Sequence, residues 1–189
     1  MPESEETTLA GRYSIRPCPP LNQVPIGYER LKKRASPVKH LRQFVEQISH
    51  EGVLLAVILR HQFREPGTHF FTPDELSQQL GFLSLPEGQL IEPHTHAEAP
   101  RTVVRTQEAL VILRGRLRVD LYTSGRTYLE SRILEAHDTV LLVAGGHGFK
   151  VLDAVEMLEI KLGPYLGPEE RVRFAAAAAS DIKVRGAAT

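Results

Sequence analysis

The stretch Arg-Leu-Arg-Val-Asp-Leu, residues 116–121, alternates charged and apolar side chains without a fault. Successive side chains of a strand point to opposite faces of a sheet, so this alternation predicts a strand with one face buried. Further strands are predicted at residues 128–134, 139–143 and 155–162, with polar turns between them. Short, closely spaced strands indicate a mainly β fold, either a sandwich or a small barrel.

The residues before this β region predict a mixed αβ lead-in over 38–84. Apolar side chains recur at three- and four-residue intervals over 38–50, which predicts an amphipathic helix. The apolar stretch Val53–Leu59 predicts a strand buried on both faces. Thr-Pro at 72–73 resembles the start of a helix and predicts a short one through Leu80.

Both ends of the chain are predicted to lie outside the barrel. Residues 1–37 are interrupted by prolines and predict an extended arm, whereas residues 164–189 predict a tail in which 175–179 is a candidate helix. The arm could wrap its own barrel or add to the sheet edge of a neighbour, which makes a homodimer possible. Its hydrophobic residues include Tyr13, Ile15, Val24 and Ile26.

Composition narrows the classes of function. The chain has 189 residues, with 23 lysines and arginines against 23 aspartates and glutamates. Zero formal net charge creates no field that gathers nucleic acid or anionic lipid, and the basic stretch 30–42 comes with no nucleic-acid motif. The longest apolar run, Val53–Leu59, is too short to span a bilayer and the first residues are acidic, so we expect a cytoplasmic protein. Cys18 is the only cysteine, which excludes an intrachain disulfide.

His94 and His96 are the first candidates for chemistry. On a strand, residues two apart project from the same face, roughly 6.5–7 Å apart at the backbone, so their imidazoles can converge on one ion. A His-x-His pair is weak by itself in a chain with eight histidines. The alternative is that these histidines only satisfy hydrogen bonds at the mouth of a barrel.

The surroundings of this pair carry a family resemblance. Gly88, His94, His96, Glu108 and Gly115 follow one another in an order that resembles the first motif of the cupin superfamily. Asp138, an apolar stretch and then Gly-Gly-His at 145–147 resemble its second motif. The likeness covers about residues 85–162.

This resemblance implies a cupin fold, a double-stranded β-helix or jelly-roll barrel, over residues 85–163. It also implies one divalent transition metal, bound by His94, His96, Glu108 and His147. The chain departs from the family where eleven residues, instead of three or four, separate His96 from Glu108. The additional loop, 97–107, is expected to cover the barrel mouth, and Glu98 within it is the alternative carboxylate ligand.

The ligand types themselves agree with a metal. Three imidazoles and a carboxylate without a thiolate suit iron, manganese, nickel, zinc, cobalt or copper, and do not choose among them. Four protein ligands leave positions open for water, dioxygen or a chelating substrate.

The expected partner is a small oxygen-rich molecule, such as a sugar derivative or a hydroxy or keto acid. Arg101 and Arg105 are candidate anchors for its carboxylate or phosphate, and Tyr165 is a candidate acid or rim residue. Glu159 and Lys161 could face the site or simply face solvent. Residues 70–80, 145–149 and 156–165 resemble small uncharacterised cupins that often occur among genes for surface-polysaccharide or modified-sugar synthesis.

Three functions remain open at this point. The leading one is a metal-dependent isomerase, epimerase or oxygenase that uses Lewis-acid or dioxygen chemistry. The others are a non-catalytic small-molecule-binding or sensing cupin, since a fold does not fix a function, and a metal-free sugar epimerase with histidine and tyrosine as its acid and base.

Overall fold

The computed structural model describes residues 43–101 and 103–186, and this part of the chain is mainly β. Two 3₁₀ helices of one turn each, Pro168–Glu170 and Ala179–Asp181, follow the strands. No described helix has the length and apolar character needed to cross a membrane. The strands are β1 (Val45–His50), β2 (Val53–Leu59), β3 (Gly67–Phe70), β4 (Gly81–Ser84), β5 (Glu108–Tyr122), β6 (Tyr128–Leu134), β7 (Thr139–Leu142) and β8 (Gly146–Lys161).

Six of the strands form one antiparallel sheet. Its order is β1-β2-β7-β5-β6, and β8 pairs with the other edge of β5. The first half of β5 lies between β7 and the end of β8, and its second half lies between β6 and the start of β8. Strands β3 and β4 pair separately as a two-stranded sheet.

The long β5–β8 pair bends at Gly115, where the register between the two strands is irregular. Gly115 has a φ of 83°, which residues with a side chain rarely adopt. A Cβ at this position would lie 2.1 Å from the carbonyl oxygen of Ala154. The bend therefore requires glycine. It curls the sheet into a half-barrel.

The core lies mainly on the inner face of this curl. Leu110 and Ile112 from the first half of β5 join Leu117, Val119 and Leu121 from its second half in one buried cluster. A smaller cluster on the other face contains Val57, Ala109, Leu141 and Val143, which pack under Phe71, Leu76 and Leu80. The bend thus lets one strand contribute two consecutive walls to the same core.

Most predicted strands are confirmed. Residues 53–59 and 128–134 are strands with the predicted bounds, residues 139–142 form β7, and the alternating stretch 116–121 lies within β5. The predicted turn at His137 is confirmed as well, and His137 is exposed there with a φ of 71°.

The three predicted helices are wrong within the described residues. Residues 45–50 form β1, because they pair along the edge of β2. Residues 72–80 form turns that Thr72 holds by accepting the amide hydrogen of Leu80. Residues 175–178 are irregular, since the amide of Ala177 donates to the Tyr122 hydroxyl instead of continuing a helix. The lead-in is consequently all β where it is described.

Phe149 on β8 is 41% exposed, because β8 lies at the edge of the sheet. The predicted arm, 1–37, lies outside the described residues.

Candidate metal centre

Glu108 and His147 meet on the inner face of the half-barrel. Glu108 begins β5, while His147 pairs with Leu121, thirteen positions further along that strand. A straight strand would separate two such positions by about 43 Å. In the structure a carboxylate oxygen of Glu108 lies 3.1 Å from Nε2 of His147. The bend at Gly115 is therefore what brings the two side chains together.

The pair is partly shielded from solvent. The exposed fractions of the side chains are 14% for Glu108 and 30% for His147. The hydrogen bond from His147 holds the pKa of Glu108 below its ordinary value; burial opposes this, and the positive charges of His147, Lys161 and Arg171 add to the lowering. Glu108 is thus an anion at neutral pH, the form that binds a metal.

Lys161 and Glu170 complete the surroundings of Glu108. The ammonium group of Lys161 lies 3.6 Å from Glu108 and 3.1 Å from Glu170. Thr106 donates a hydrogen bond of 2.7 Å to Glu170. Of the two residues that could face the site or solvent, Lys161 is therefore at the site, whereas Glu159 is exposed.

Sequence reasoning missed Glu170. It lies in the short 3₁₀ helix of the tail, beyond Gly163-Pro164 and Gly167-Pro168, where no periodicity indicates the direction of the chain. An acidic residue nine positions after Lys161 is too common to be a signal.

His94 and His96 lie together but away from Glu108 and His147. Their ring centroids are 5.3 Å apart, and Nδ1 of His94 lies 2.9 Å from the carbonyl oxygen of Glu92. Both are exposed in the irregular segment between β4 and β5, so the strand assumed for them is not formed. Glu98 is exposed in the same segment. Among the described residues, no three metal-binding side chains meet.

The candidate substrate anchors also lie in exposed positions. Arg101 and Arg105 belong to the irregular segment, and Tyr165 is 73% exposed. Arg105 lines a cavity of about 340 Å³ together with Gln107 and Val143, beside the smaller core cluster. In the described part of the chain, none of these three candidates forms a hydrogen bond or ion pair with Glu108 or His147.

The geometry of the Glu108–His147 pair fits two ligands of one ion. Nitrogen and oxygen donors at about 2.1 Å from a metal, in neighbouring positions at right angles, lie about 3 Å apart. The observed separation is 3.1 Å. The same separation suits a direct hydrogen bond, so the pair accommodates either a cation or a proton between its atoms.

No family model, curated protein or solved structure matches this chain. The class of protein is therefore defined by the described geometry alone. It is a mainly β protein with a curled antiparallel half-barrel and a carboxylate–imidazole pair on the inner face.

Proposed function

We propose that the protein is a metal-binding cupin that acts on a small oxygen-rich molecule, a sugar derivative or a hydroxy or keto acid. The observation that carries the proposal is the 3.1 Å approach of Glu108 and His147, which the sequence separates by 39 positions. Both residues occupy ligand positions of the motifs that resemble cupins. His94 and His96 are the other two proposed ligands of one divalent transition metal.

The proposal requires the segment between β4 and β5 to approach the inner face. The rings of His94 and His96 are already in contact, edge to face, and Glu108 is already paired with His147. Binding of a metal would join the two pairs, and the free energy of coordination would offset the ordering of the exposed segment.

When bound, the metal would supply Lewis-acid chemistry, or activate dioxygen, at oxygen atoms of the ligand. The side chains of the protein would position the site and bind the ligand. Glu108 and His147 fix the position of the site, and Lys161 presents a cation for a carboxylate or alkoxide of the ligand. Arg101 and Arg105, on the segment that would approach, are the proposed anchors of a carboxylate or phosphate.

Elemental analysis of tag-free protein tests the metal. After loading with each of iron, manganese, nickel, zinc, cobalt and copper and then dialysis, we expect close to one equivalent of one metal. His147→Gln and His94→Gln should each lose it, because either removes a ligand. His50→Gln, an exposed histidine on β1, should retain it. Retention in both ligand variants, or no retention in the parent, would rule out the proposed centre.

A second function is favoured by Lys161. Its ammonium group lies 3.6 Å from Glu108 and balances part of the charge of that carboxylate, as a binding or sensing barrel that uses no metal would need. In that case small acids should raise the melting temperature of metal-free protein, with no turnover. Lys161→Met would abolish this stabilisation, yet it would strengthen metal binding if the first proposal is correct.

A further inference from the structure

A second site lies at the opposite end of β7 from Glu108. Glu108 pairs with Leu142, the last residue of β7, whereas Asp138 immediately precedes its first residue. A cavity of about 460 Å³ opens beside Asp138. His61, Arg116 and Arg185 are among the residues that line it. The metal proposal does not use this cavity, and the family resemblance involves one of its lining residues, Asp138, as the start of the second motif.

Asp138 holds His61 in one orientation. The carboxylate is buried, and it accepts the amide hydrogens of His61 at 2.9 Å and Glu135 at 3.1 Å. It lies 3.1 Å from Nδ1 of His61. Burial by itself would raise the pKa of Asp138, but these hydrogen bonds and the one from Arg60 outweigh it and lower the pKa. An ionised Asp138 accepts the Nδ1 proton, which leaves Nε2 of neutral His61 as the nitrogen that can accept a hydrogen from a ligand.

The cavity is also lined by three guanidinium groups against two carboxylates, those of Glu135 and Asp138. The guanidinium group of Arg60 is not available to a ligand, because it donates to Glu46 and Asp138 in a buried network. Arg116 and Arg185 differ. Their side chains are 50% and 65% exposed, and each has an ion pair with one carboxylate, Asp153 or Glu130. The Arg116–Asp153 pair is exposed at both ends and contributes little stability, so the Arg116 guanidinium group can be shared with a ligand. Glu130 is only 13% exposed, but Arg185 contacts it through Nε, and a guanidinium group has further N–H donors for a ligand.

We propose that this cavity binds a small oxyanion that also carries a hydroxyl hydrogen, such as a phosphate or a hydroxy acid. Arg116 and Arg185 donate to the oxyanion, and Nε2 of His61 accepts the hydroxyl hydrogen. The apolar side chains of Phe44, Ile133 and Val184 line the remaining wall and leave room for a short carbon skeleton.

Histidine side-chain NMR of the full chain, treated with a chelator, tests the site without interference from a metal. The His61 resonances are assigned by their loss in His61→Gln, whose amide can still donate to Asp138. Inorganic phosphate and lactate are titrated separately at constant ionic strength, with chloride as the control. We expect the Nε2 resonance of His61 to move saturably with at least one of the two anions. The more effective anion identifies the ligand as a phosphate or a carboxylate.

Matched variants locate the binding. Arg116 and Arg114 are neighbours on β5, both exposed and both paired with an acid on β8, but only Arg116 lines the cavity. Arg116→Gln should weaken binding about tenfold, since it removes a charged donor, and Arg114→Gln should leave it unchanged. Asp153→Asn should strengthen binding, because it frees Arg116. Equal effects of the two arginine variants, or a His61 response no larger than that to chloride, would overturn the proposal.

Discussion

At the scale of single residues, Asp138 is the buried carboxylate on which we expect the free energy of unfolding to depend strongly. It is 1% exposed and accepts hydrogen bonds from Arg60 and from the His61 and Glu135 amides. Asp138→Asn keeps the shape and removes the charge, which leaves the buried Arg60 with one anionic partner, Glu46, among the described residues. We expect a loss of about 2–4 kcal/mol in the free energy of unfolding, measured with urea at pH 7.

The same residue fixes how this loss depends on pH. The pKa of Asp138 is lower in the folded protein than its ordinary value of about 3.9. Its stabilising contribution is complete above that ordinary value and disappears as the pH falls through the folded pKa. His61 and Arg60 face the carboxylate, and Glu46 is another acid in contact with Arg60. The difference in stability between parent and variant should therefore shrink as the pH falls below the ordinary pKa of about 3.9; a constant difference would contradict this account.

Single residues also show where prediction from the sequence succeeds. Glu108 and His147 were expected at one site because the resemblance to the cupin motifs implies it, and the two side chains are indeed 3.1 Å apart. The place of Glu170 at this site could not be predicted. The direction of the tail after Gly163-Pro164 depends on contacts with Lys161 and Thr106, and such contacts leave no pattern in the sequence. The position of His94 was not predictable either, because the spacing of a His-x-His pair has a meaning only if a strand forms there.

At the scale of elements, the bend of β5 is the feature that makes the fold. A Cβ at Gly115 would overlap the carbonyl of Ala154, and the φ of 83° is itself unfavourable for alanine. Gly115→Ala should therefore cost about 3 kcal/mol or more in the free energy of unfolding. Gly125→Ala is the matched control: a Cβ there meets only Thr123, at 3.6 Å, so the change should stay within about 1 kcal/mol. Equal stability of the two variants would mean that the strand does not bend there.

The pairing of β1 with β2 also explains why the helix predicted over 38–50 was wrong in its described part. Over 38–50 the apolar spacing fits a helix, but residues 45–50 have an available edge on β2 and pair with it as β1. Glu46 on this strand forms ion pairs with Arg60 and Arg132. The local spacing of apolar residues contains no information about partners so distant in the sequence. Alternating strands such as β6 were predictable because the pattern itself records which face is buried.

At the scale of the whole molecule, the free edge of β8 is the feature that bears on association. Among the described residues β8 pairs with β5 alone, so one edge of a sixteen-residue strand has no strand beside it. Leu158 and Ile160 on it are 54% and 55% exposed. Long edges with exposed apolar side chains are sites of association. We expect a second copy of the chain to pair along this edge, which gives the proposed homodimer a definite place.

Light scattering after size exclusion tests this edge with two leucines of equal exposure. Leu158 on β8 and Leu83 on β4 are both 54% exposed. Leu158→Lys should weaken dimerisation about a hundredfold, since a symmetric contact loses two buried leucines, and Leu83→Lys should not change it. A chain without residues 1–25 distinguishes pairing along β8 from pairing through the arm. If this shortened chain is monomeric while Leu158→Lys is still dimeric, the arm forms the dimer. A monomeric parent at all concentrations would exclude both routes.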